Sequence, residues 1–247
     1  MQEGLSEWLA LDEQLREFHM RQYEKPYRST VKFLEYLQEK IGTNDNKVLD
    51  LGCGAGAALG YLMNDKKVFG GGYGVDINEE LVTIGNKILK ERKVNNCELR
   101  VGDIFHLDKK DFGKLDGVIS LQTFNILPDY IDVVRCMCEL EPRWIAFSTL
   151  GFEGLIDYEV KVYDYTKDKD GGYAQVFYNI YSLPRMKEYF DSLGYSRFDY
   201  KEFEIDIDLI QTNKMGRGTY TIKTEQGKRM QISGGIMMPW YFVFVEK

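Results

Sequence analysis

A glycine-rich turn is the stretch of the sequence best suited to binding a ligand. Residues 47–61 read KVLDLGCGAGAALGY, in which an apolar run ends at Asp50, and Gly52, Gly54 and Gly56 then alternate with small residues. Glycine permits backbone angles that a Cβ atom forbids, and it lets a ligand lie against bare backbone. The helical pattern that follows would point free amide groups at that ligand. The stretch therefore predicts a strand, a glycine turn and a helix that bind a nucleotide-like cofactor.

Acidic residues end two further apolar runs along the chain. Asp76 lies in YGVDI, about 20 residues beyond the glycines, and Asp103 lies in CELRVGDI. A carboxylate can accept two hydrogen bonds at once, which suits Asp76 to the hydroxyl pair of a ribose. The kind of adenosine cofactor stays open at this point, because GCGAGA also satisfies the dinucleotide fingerprint G-x-G-x-x-G/A of nicotinamide enzymes.

With its surroundings, the glycine turn resembles the first motif of class I S-adenosylmethionine-dependent methyltransferases. The resemblance rests on Asp50, two positions before the first glycine of G-x-G-x-G, and it covers residues 45–150. It implies that the glycine backbone holds the methionine portion of S-adenosylmethionine, and that Asp50 orders the loop and its hydrogen bonds to the amino group. It also implies that Asp103 accepts from the adenine amino group while Ile104 packs on the ring. A nicotinamide enzyme has no equivalent requirement for Asp103.

A strand predicted over residues 115–122 brings further residues to the carboxyl edge of the sheet, where ligands of open parallel sheets bind. This edge lacks the N/D-P-P-Y/F sequence with which relatives that modify amines of nucleic acid or protein accept their target, and its absence disfavours such targets. The residues that we expect at the cofactor are Asp50, Gly52, Cys53, Gly54, Gly56, Asp76, Ile77, Asp103, Ile104, Leu121 and Gln122, with Tyr27 and Arg28 from the N-terminal segment.

Two histidines are candidates for a catalytic base. The sulfonium of S-adenosylmethionine is already an activated methyl donor, so the protein must chiefly align the acceptor and exclude water. A base is needed only if the acceptor is a hydroxyl that loses its proton. His106, just after Asp103, and His19, in the N-terminal segment, are the candidates, although each also fits an ordinary packed or solvated residue. With 2 histidines in the chain, a histidine-rich metal centre is nearly excluded, and we expect no metal.

Strand and helix patterns alternate from residue 45 to residue 150. This alternation predicts an α/β fold with a parallel sheet and helices on both faces. The resemblance extends it to a Rossmann-like, seven-stranded, mostly parallel sheet whose last strand, PWYFVFV, is antiparallel. We expect residues 1–44 to form an N-terminal helical cap that breaks at Pro26, and residues 45–247 to form the methyltransferase domain.

After residue 150 the apolar period changes to two residues. The alternation predicts two antiparallel hairpins, within insertions at about 155–182 and 208–238. We expect the hairpins to roof the acceptor end of the site. Tyrosines are frequent here, and they either line an aromatic wall or simply pack in half-buried strands. Exposed hairpin edges could also pair between subunits, so a homo-oligomer is one expectation.

Charge and composition restrict the partners. The chain has 247 residues, 44% of them hydrophobic, with 32 basic and 39 acidic residues and a net charge of −7. A core of normal size can form, and the absence of a basic block argues against nucleic acid or an anionic membrane as partner. No run resembles a signal peptide or a spanning helix. Four cysteines without zinc spacing favour reduced thiols in the cytoplasm.

Together these features predict a cytoplasmic enzyme that transfers a methyl group from S-adenosylmethionine to oxygen or nitrogen of a small-molecule acceptor, a metabolite or a sugar, and leaves S-adenosylhomocysteine. Three alternatives remain from the sequence. They are a tRNA methyltransferase, a nicotinamide-dependent oxidoreductase and a cofactor-binding protein without turnover.

Overall fold

The computed structural model describes residues 13–42, 45–166 and 172–247. The predicted start of the cap and most of the first hairpin turn lie outside these residues. The helices are α1 (Glu13–Glu24), α2 (Arg28–Ile41), α3 (Ala57–Gly60), α4 (Glu79–Glu91), α5 (Lys109–Phe112), α6 (Ile131–Glu139) and α7 (Leu183–Ser192). The strands are β1 (Lys47–Leu51), β2 (Gly71–Asp76), β3 (Cys97–Val101), β4 (Gly117–Ser120), β5 (Trp144–Phe152), β6 (Lys161–Asp164), β7 (Ala174–Phe177), β8 (Tyr181–Ser182), β9 (Arg197–Glu202), β10 (Thr219–Lys223), β11 (Arg229–Ser233), β12 (Ile236–Met237) and β13 (Trp240–Glu246).

The main sheet has the strand order β3-β2-β1-β4-β5-β13-β9, and the two-residue strand β8 pairs with β5 as an eighth member. Strands β1 to β5 are parallel, whereas β13 runs antiparallel between β5 and β9. The expected Rossmann-like α/β fold, with a mostly parallel sheet and an antiparallel last strand, is confirmed. Successive strands are added on one side of β1 up to β3 and on its other side from β4 onward. The crevice at the carboxyl ends of β1 and β4 is therefore the place where this architecture binds ligands.

Apolar residues cover both faces of the sheet, as in other sheets sandwiched between helices. Along β13, Val243 and Val245 belong to one buried cluster and Phe242 and Phe244 to the other. The second cluster includes α2, where the ring of Phe33 meets that of Phe242 at 5.5 Å between centroids. Packing on both faces holds the strands in their register, and this fixes the carboxyl edge of the sheet at which the candidate site lies.

Both predicted hairpins are present. Strand β6 pairs with β7, and β10 pairs with β11, which in turn pairs with the short β12. An ion pair links the two insertions, since Arg217 Nε lies 3.0 Å from Asp164 Oδ2. The Asp164 side chain is 4% exposed, so this pair is largely shielded from solvent. This ion pair therefore connects the two insertions.

Within the described residues, no helix is both long enough and apolar enough to cross a membrane. The same part of the chain contains no group of three or more His, Cys, Asp or Glu side chains placed to hold a metal ion. All four cysteines are free thiols.

Candidate functional site

The glycine turn after β1 has the backbone conformation that its sequence predicts. Gly52, Gly54 and Gly56 have φ angles of +71°, +54° and +76°, all in the left-handed region that favours glycine. A Cβ atom on Gly52 would lie 2.5 Å from Thr123 Oγ1. The turn that leaves β4 therefore touches the glycine turn across the crevice. The expected helix begins at α3 but continues as a single π-helical turn, Tyr61–Asp65, instead of a regular α-helix.

Two carboxyl groups lie at the ends of β1 and β2. Asp76 Oδ2 accepts from Gly54 N at 2.7 Å, and its Oδ1 accepts from Asn78 N at 2.9 Å. Burial and the neighbouring Asp76 raise the pKa of Asp50 to about 8, and burial also raises the pKa of Asp76. The described residues supply no ion-pair partner for either acid. The pair is suited to a ligand that brings its own positive charge or hydroxyl donors.

Asp103 lies two residues beyond β3 and organises a tight turn. Its Oδ1 accepts from Phe105 N at 3.0 Å, and its Oδ2 lies 2.9 Å from His106 Nδ1. The His106 side chain is 81% exposed, while Ile104 belongs to the buried core. The carboxylate therefore caps its own turn, and its free lone pairs remain available at the same sheet edge as Asp76.

The turn that leaves β4 is linked to the N-terminal segment. Gln122 has a φ of +61°, which is unusual for a residue with a side chain. Its backbone N donates to Ser148 Oγ at 2.8 Å, and its Nε2 donates to Ser29 Oγ at 2.9 Å. Leu121 packs against the buried cluster that includes α2. These bonds hold the turn in its strained conformation and join it to the start of α2.

Helix α1 lies directly on the glycine turn. A Cβ atom on Gly54 would be 2.4 Å from His19 Cε1, so the imidazole packs on the bare backbone of this glycine. The Tyr23 hydroxyl donates to the Ala55 carbonyl oxygen. Burial lowers the pKa of His19 to about 4, which keeps its ring neutral at pH 7. The structure thus brings His19 to the site, on the cap side.

Tyr27 and Arg28 are placed at the junction between α1 and α2. The Tyr27 ring packs on Phe18 with 5.3 Å between centroids. Arg28 forms an ion pair with Asp206, in which its Nε donates to Oδ1 at 2.8 Å. These contacts connect the junction to the segment just before the second insertion, and they do not involve the glycine turn. Cys53 and Ile77, by contrast, are half-buried neighbours of Gly52 and Asp76.

Sequence reasoning missed Asn179, which joins the first insertion to the turn after β4. Its Nδ2 donates to Leu127 O at 2.9 Å, and its backbone N donates to Asn125 O at 2.9 Å. The Tyr181 hydroxyl donates to Leu127 O at 3.2 Å. The available signal was an asparagine inside an otherwise apolar and aromatic run, FYNIY. The insertion therefore returns across the carboxyl end of β4.

Residues 43–149 match the family model described as a methyltransferase domain. These residues therefore form a methyltransferase domain. The chemistry of such a domain is methyl transfer and not hydride transfer, so of the two cofactors that the glycines left open its cofactor is S-adenosylmethionine. An uncharacterised protein of Rickettsia prowazekii is 31% identical over 108 residues, which are 41% of this chain and 41% of the relative. The match thus spans about two-fifths of that relative's length.

Solved structures share the fold of the methyltransferase domain at low identity. A Haloferax volcanii protein in complex with the Trm112 methyltransferase activator is 14% identical, with a TM-score of 0.58 over 96% of this chain and 98% of its own. Magnesium protoporphyrin IX methyltransferase of Synechocystis, with bound S-adenosylhomocysteine, is 14% identical, with a TM-score of 0.53 over 96% of this chain and 89% of its own.

Proposed function

We propose that the protein transfers a methyl group from S-adenosylmethionine to oxygen or nitrogen of a small-molecule acceptor, of the metabolite or sugar class. The observation that carries this proposal is the hydrogen bonding of Asn179 to the turn after β4. Through it the first insertion is bonded to the turn at the carboxyl end of β4, and the Arg217–Asp164 ion pair links the second insertion to the first. A covered edge suits a small acceptor better than a polymer, and the net charge of −7 disfavours a polyanion.

The cofactor roles proposed for the residues follow from their positions. The bare backbone at Gly52, Gly54 and Gly56 would accommodate the methionine portion, because side chains there would fill the space that a ligand needs. Asp50 would pair with the amino group, since a buried carboxyl without a cation gains most from an incoming positive charge. Asp76 would accept from the ribose hydroxyls with the carboxylate lone pairs that the amides of Gly54 and Asn78 do not use.

At the adenine end, Asp103 would accept from the exocyclic amino group, with Ile104 behind it. Leu121 and Gln122 would border the crevice from the side of β4. Tyr27, Arg28 and the two histidines stay predictions. His106 shares the carboxylate of Asp103, at 2.9 Å, and His19 covers Gly54, so each is positioned to influence cofactor binding.

The bound cofactor would supply a methyl group already activated by its sulfonium. The chain's own contribution is to orient the acceptor, exclude water and hold charge. With the cofactor bound, the ionised carboxylates of Asp50 and Asp76 would place negative charge near the positively charged donor. The insertions would shield the carboxyl edge and so keep water from the reacting groups.

A thermal-shift comparison of S-adenosylhomocysteine with the oxidised nicotinamide dinucleotide tests the cofactor site. A ligand at about 100 times its dissociation constant stabilises the folded state by about 2.7 kcal/mol. We expect S-adenosylhomocysteine to raise the melting temperature of the parent, and to lose this effect in Asp76→Ala and Asp103→Ala. The matched control is Asp108→Ala, because Asp108 also accepts a bond from the amide two residues on, at 2.8 Å, but begins α5. An undiminished shift in Asp103→Ala would contradict its adenine role.

Turnover with S-adenosylmethionine that carries a tritiated methyl group tests the acceptor class. The acceptors are a panel of alcohols, phenols, amines and sugars, beside bulk tRNA. We expect label in the small-molecule fraction and none in tRNA. Label that enters only tRNA would contradict the proposal. Tight binding of S-adenosylhomocysteine with no transfer to any acceptor would instead support a cofactor-binding protein without turnover.

A further inference from the structure

In the turn that leaves β4, residues 121–128, the polar side chains are bonded with one exception. Thr123 Oγ1 donates to Leu121 O at 3.3 Å, and Gln122 Nε2 donates to Ser29. Asn125 is 2% exposed, and its Oδ1 is buried without a hydrogen-bond partner. Among the described residues of this turn, it is the fully buried side-chain acceptor that lacks a partner.

The surroundings of Asn125 are tightly organised, which makes the unused oxygen informative. Its own carbonyl accepts from Asn179 N at 2.9 Å, and the Tyr181 hydroxyl lies 3.2 Å from both Phe124 O and Leu127 O, which share its one proton. Asn179 and Tyr181 are 0% and 4% exposed. The backbone is thus fixed from both sides, and it cannot easily turn to give the Asn125 amide a partner.

A buried acceptor without a donor is destabilising, because it loses its bonds to water and gains none in return. Such groups in folded proteins often mark binding or catalytic sites. Asn125 is two residues beyond Thr123, whose side chain touches the backbone of Gly52. The unused oxygen therefore belongs to the turn that faces the cofactor loop across the crevice between β1 and β4.

We propose that Asn125 positions the methyl acceptor, by accepting a hydrogen bond from an O–H or N–H group of that molecule. The inference rests on the proposed function and adds a requirement to it: the acceptor carries such a donor at or next to the methylated atom. This chemistry fits a hydroxyl, phenol or amine, and it excludes acceptors that offer only carbon or thioether sulfur.

The first test is the stability of Asn125→Leu without ligands. Leucine has a similar volume and no polar atoms, so we expect a higher melting temperature than that of the parent. The matched control is Asn86→Leu, because Asn86 is an asparagine whose Nδ2 and Oδ1 bond Leu99 O and Leu99 N at 2.8 and 2.9 Å. This control should lower the melting temperature. If Asn125→Leu lowers it equally, the oxygen has a partner in the empty protein and the proposal fails.

The second test measures tritium transfer from methyl-labelled S-adenosylmethionine to a small-molecule extract of bacterial cells. We expect Asn125→Leu to bind S-adenosylhomocysteine as the parent does, and to transfer label about 10- to 100-fold more slowly at low acceptor concentration. Asn125→Asp keeps an oxygen acceptor and should retain more transfer than the leucine variant. Equal transfer by the parent and Asn125→Leu would overturn the role of Asn125 alone. No transfer by the parent would remove the proposed function, and this inference with it.

Discussion

Replacement of Asp50 by asparagine should stabilise the empty protein at neutral pH and abolish its binding of S-adenosylhomocysteine. Asp50 is 2% exposed, and burial together with Asp76 raises its pKa from 3.8 to about 8. A carboxyl whose pKa is raised in the folded state favours folding below its unfolded pKa, and this contribution is lost as the pH rises through the folded pKa. The relevant window therefore runs from about pH 4 to about pH 8.

The magnitude follows from the width of that window. Each pH unit between the unfolded and folded pKa values changes the free energy of unfolding by about 1.4 kcal/mol for one proton. From pH 4 to pH 7 the loss in the parent is at most about 4 kcal/mol on this basis. Asparagine has nearly the same shape and no charge, so it avoids this loss. For a chain of this size, each kcal/mol corresponds to about 2–4 °C in the melting temperature.

Differential scanning fluorimetry from pH 4 to pH 8 measures this effect. The difference in melting temperature between Asp50→Asn and the parent should grow with pH and reach several degrees. Asp116→Asn is the control, because Asp116 accepts from Lys47 N at 2.8 Å at the opposite end of β1. This control should lower stability and leave binding of S-adenosylhomocysteine unchanged. A difference that does not depend on pH, or unimpaired binding by Asp50→Asn, would refute the reasoning.

The remaining predictions concern the contacts around the same site. Gly54→Ala should lower the melting temperature, because the residue has a φ of +54° and a Cβ would meet His19. Adding His19→Gly should recover the part of the loss that is due to this clash and leave about 1 kcal/mol of backbone strain. Equal losses with and without His19 would show that its ring moves aside at no cost. Burial lowers the pKa of His19 from 6.5 to about 4. The contacts of α1 should therefore be fully stable above about pH 6.5 and weaken as the pH falls toward 4. Amide hydrogen exchange of α1 should become faster over this pH range, relative to the rest of the chain, in the parent and not in His19→Leu. If the amino group of the ligand pairs with ionised Asp50, binding of S-adenosylhomocysteine should release a proton below pH 8. The calorimetric binding enthalpy should then differ between buffers of different ionisation enthalpy. A binding enthalpy that is the same in all buffers would contradict this proton release. Arg217→Met should lower the melting temperature, since it leaves the nearly buried Asp164 carboxylate without this partner. Affinity for S-adenosylhomocysteine should not change. A variant of unchanged stability with weakened affinity would show instead that the link between the insertions shapes the cofactor site.

The part of the site formed by glycines and strand ends could be predicted from the sequence for physical reasons. Few residues other than glycine tolerate the left-handed angles found at Gly52, Gly54 and Gly56, so their spacing describes the turn directly. Asp76 is the last residue of β2, and the carboxyl ends of parallel strands share one edge of the sheet. The apolar run that leads to Asp103 is longer than the strand it contains, because β3 ends at Val101 and the Asp103 carboxylate bonds Phe105 N in the turn that follows.

Contacts between distant segments could not be predicted in this way, because periodicity reports which face of an element is buried and not what covers it. The two-residue alternation that predicts the first hairpin would be the same whether or not an asparagine within it bonded the turn after β4. In the structure, Asn179 makes that bond. The helical pattern of residues 13–24 likewise leaves open which residue faces the glycine turn.

The placement of His19 shows how such a contact changes a chemical interpretation. A histidine in the cap is a candidate base only if it can take up a proton near neutral pH. On Gly54 the ring is largely removed from water, and the pKa near 4 makes the neutral imidazole a weak proton acceptor at pH 7. Packing against the glycine turn thus favours a steric role for His19, in which the neutral ring and the Tyr23 hydroxyl bond to Ala55 hold α1 over the loop.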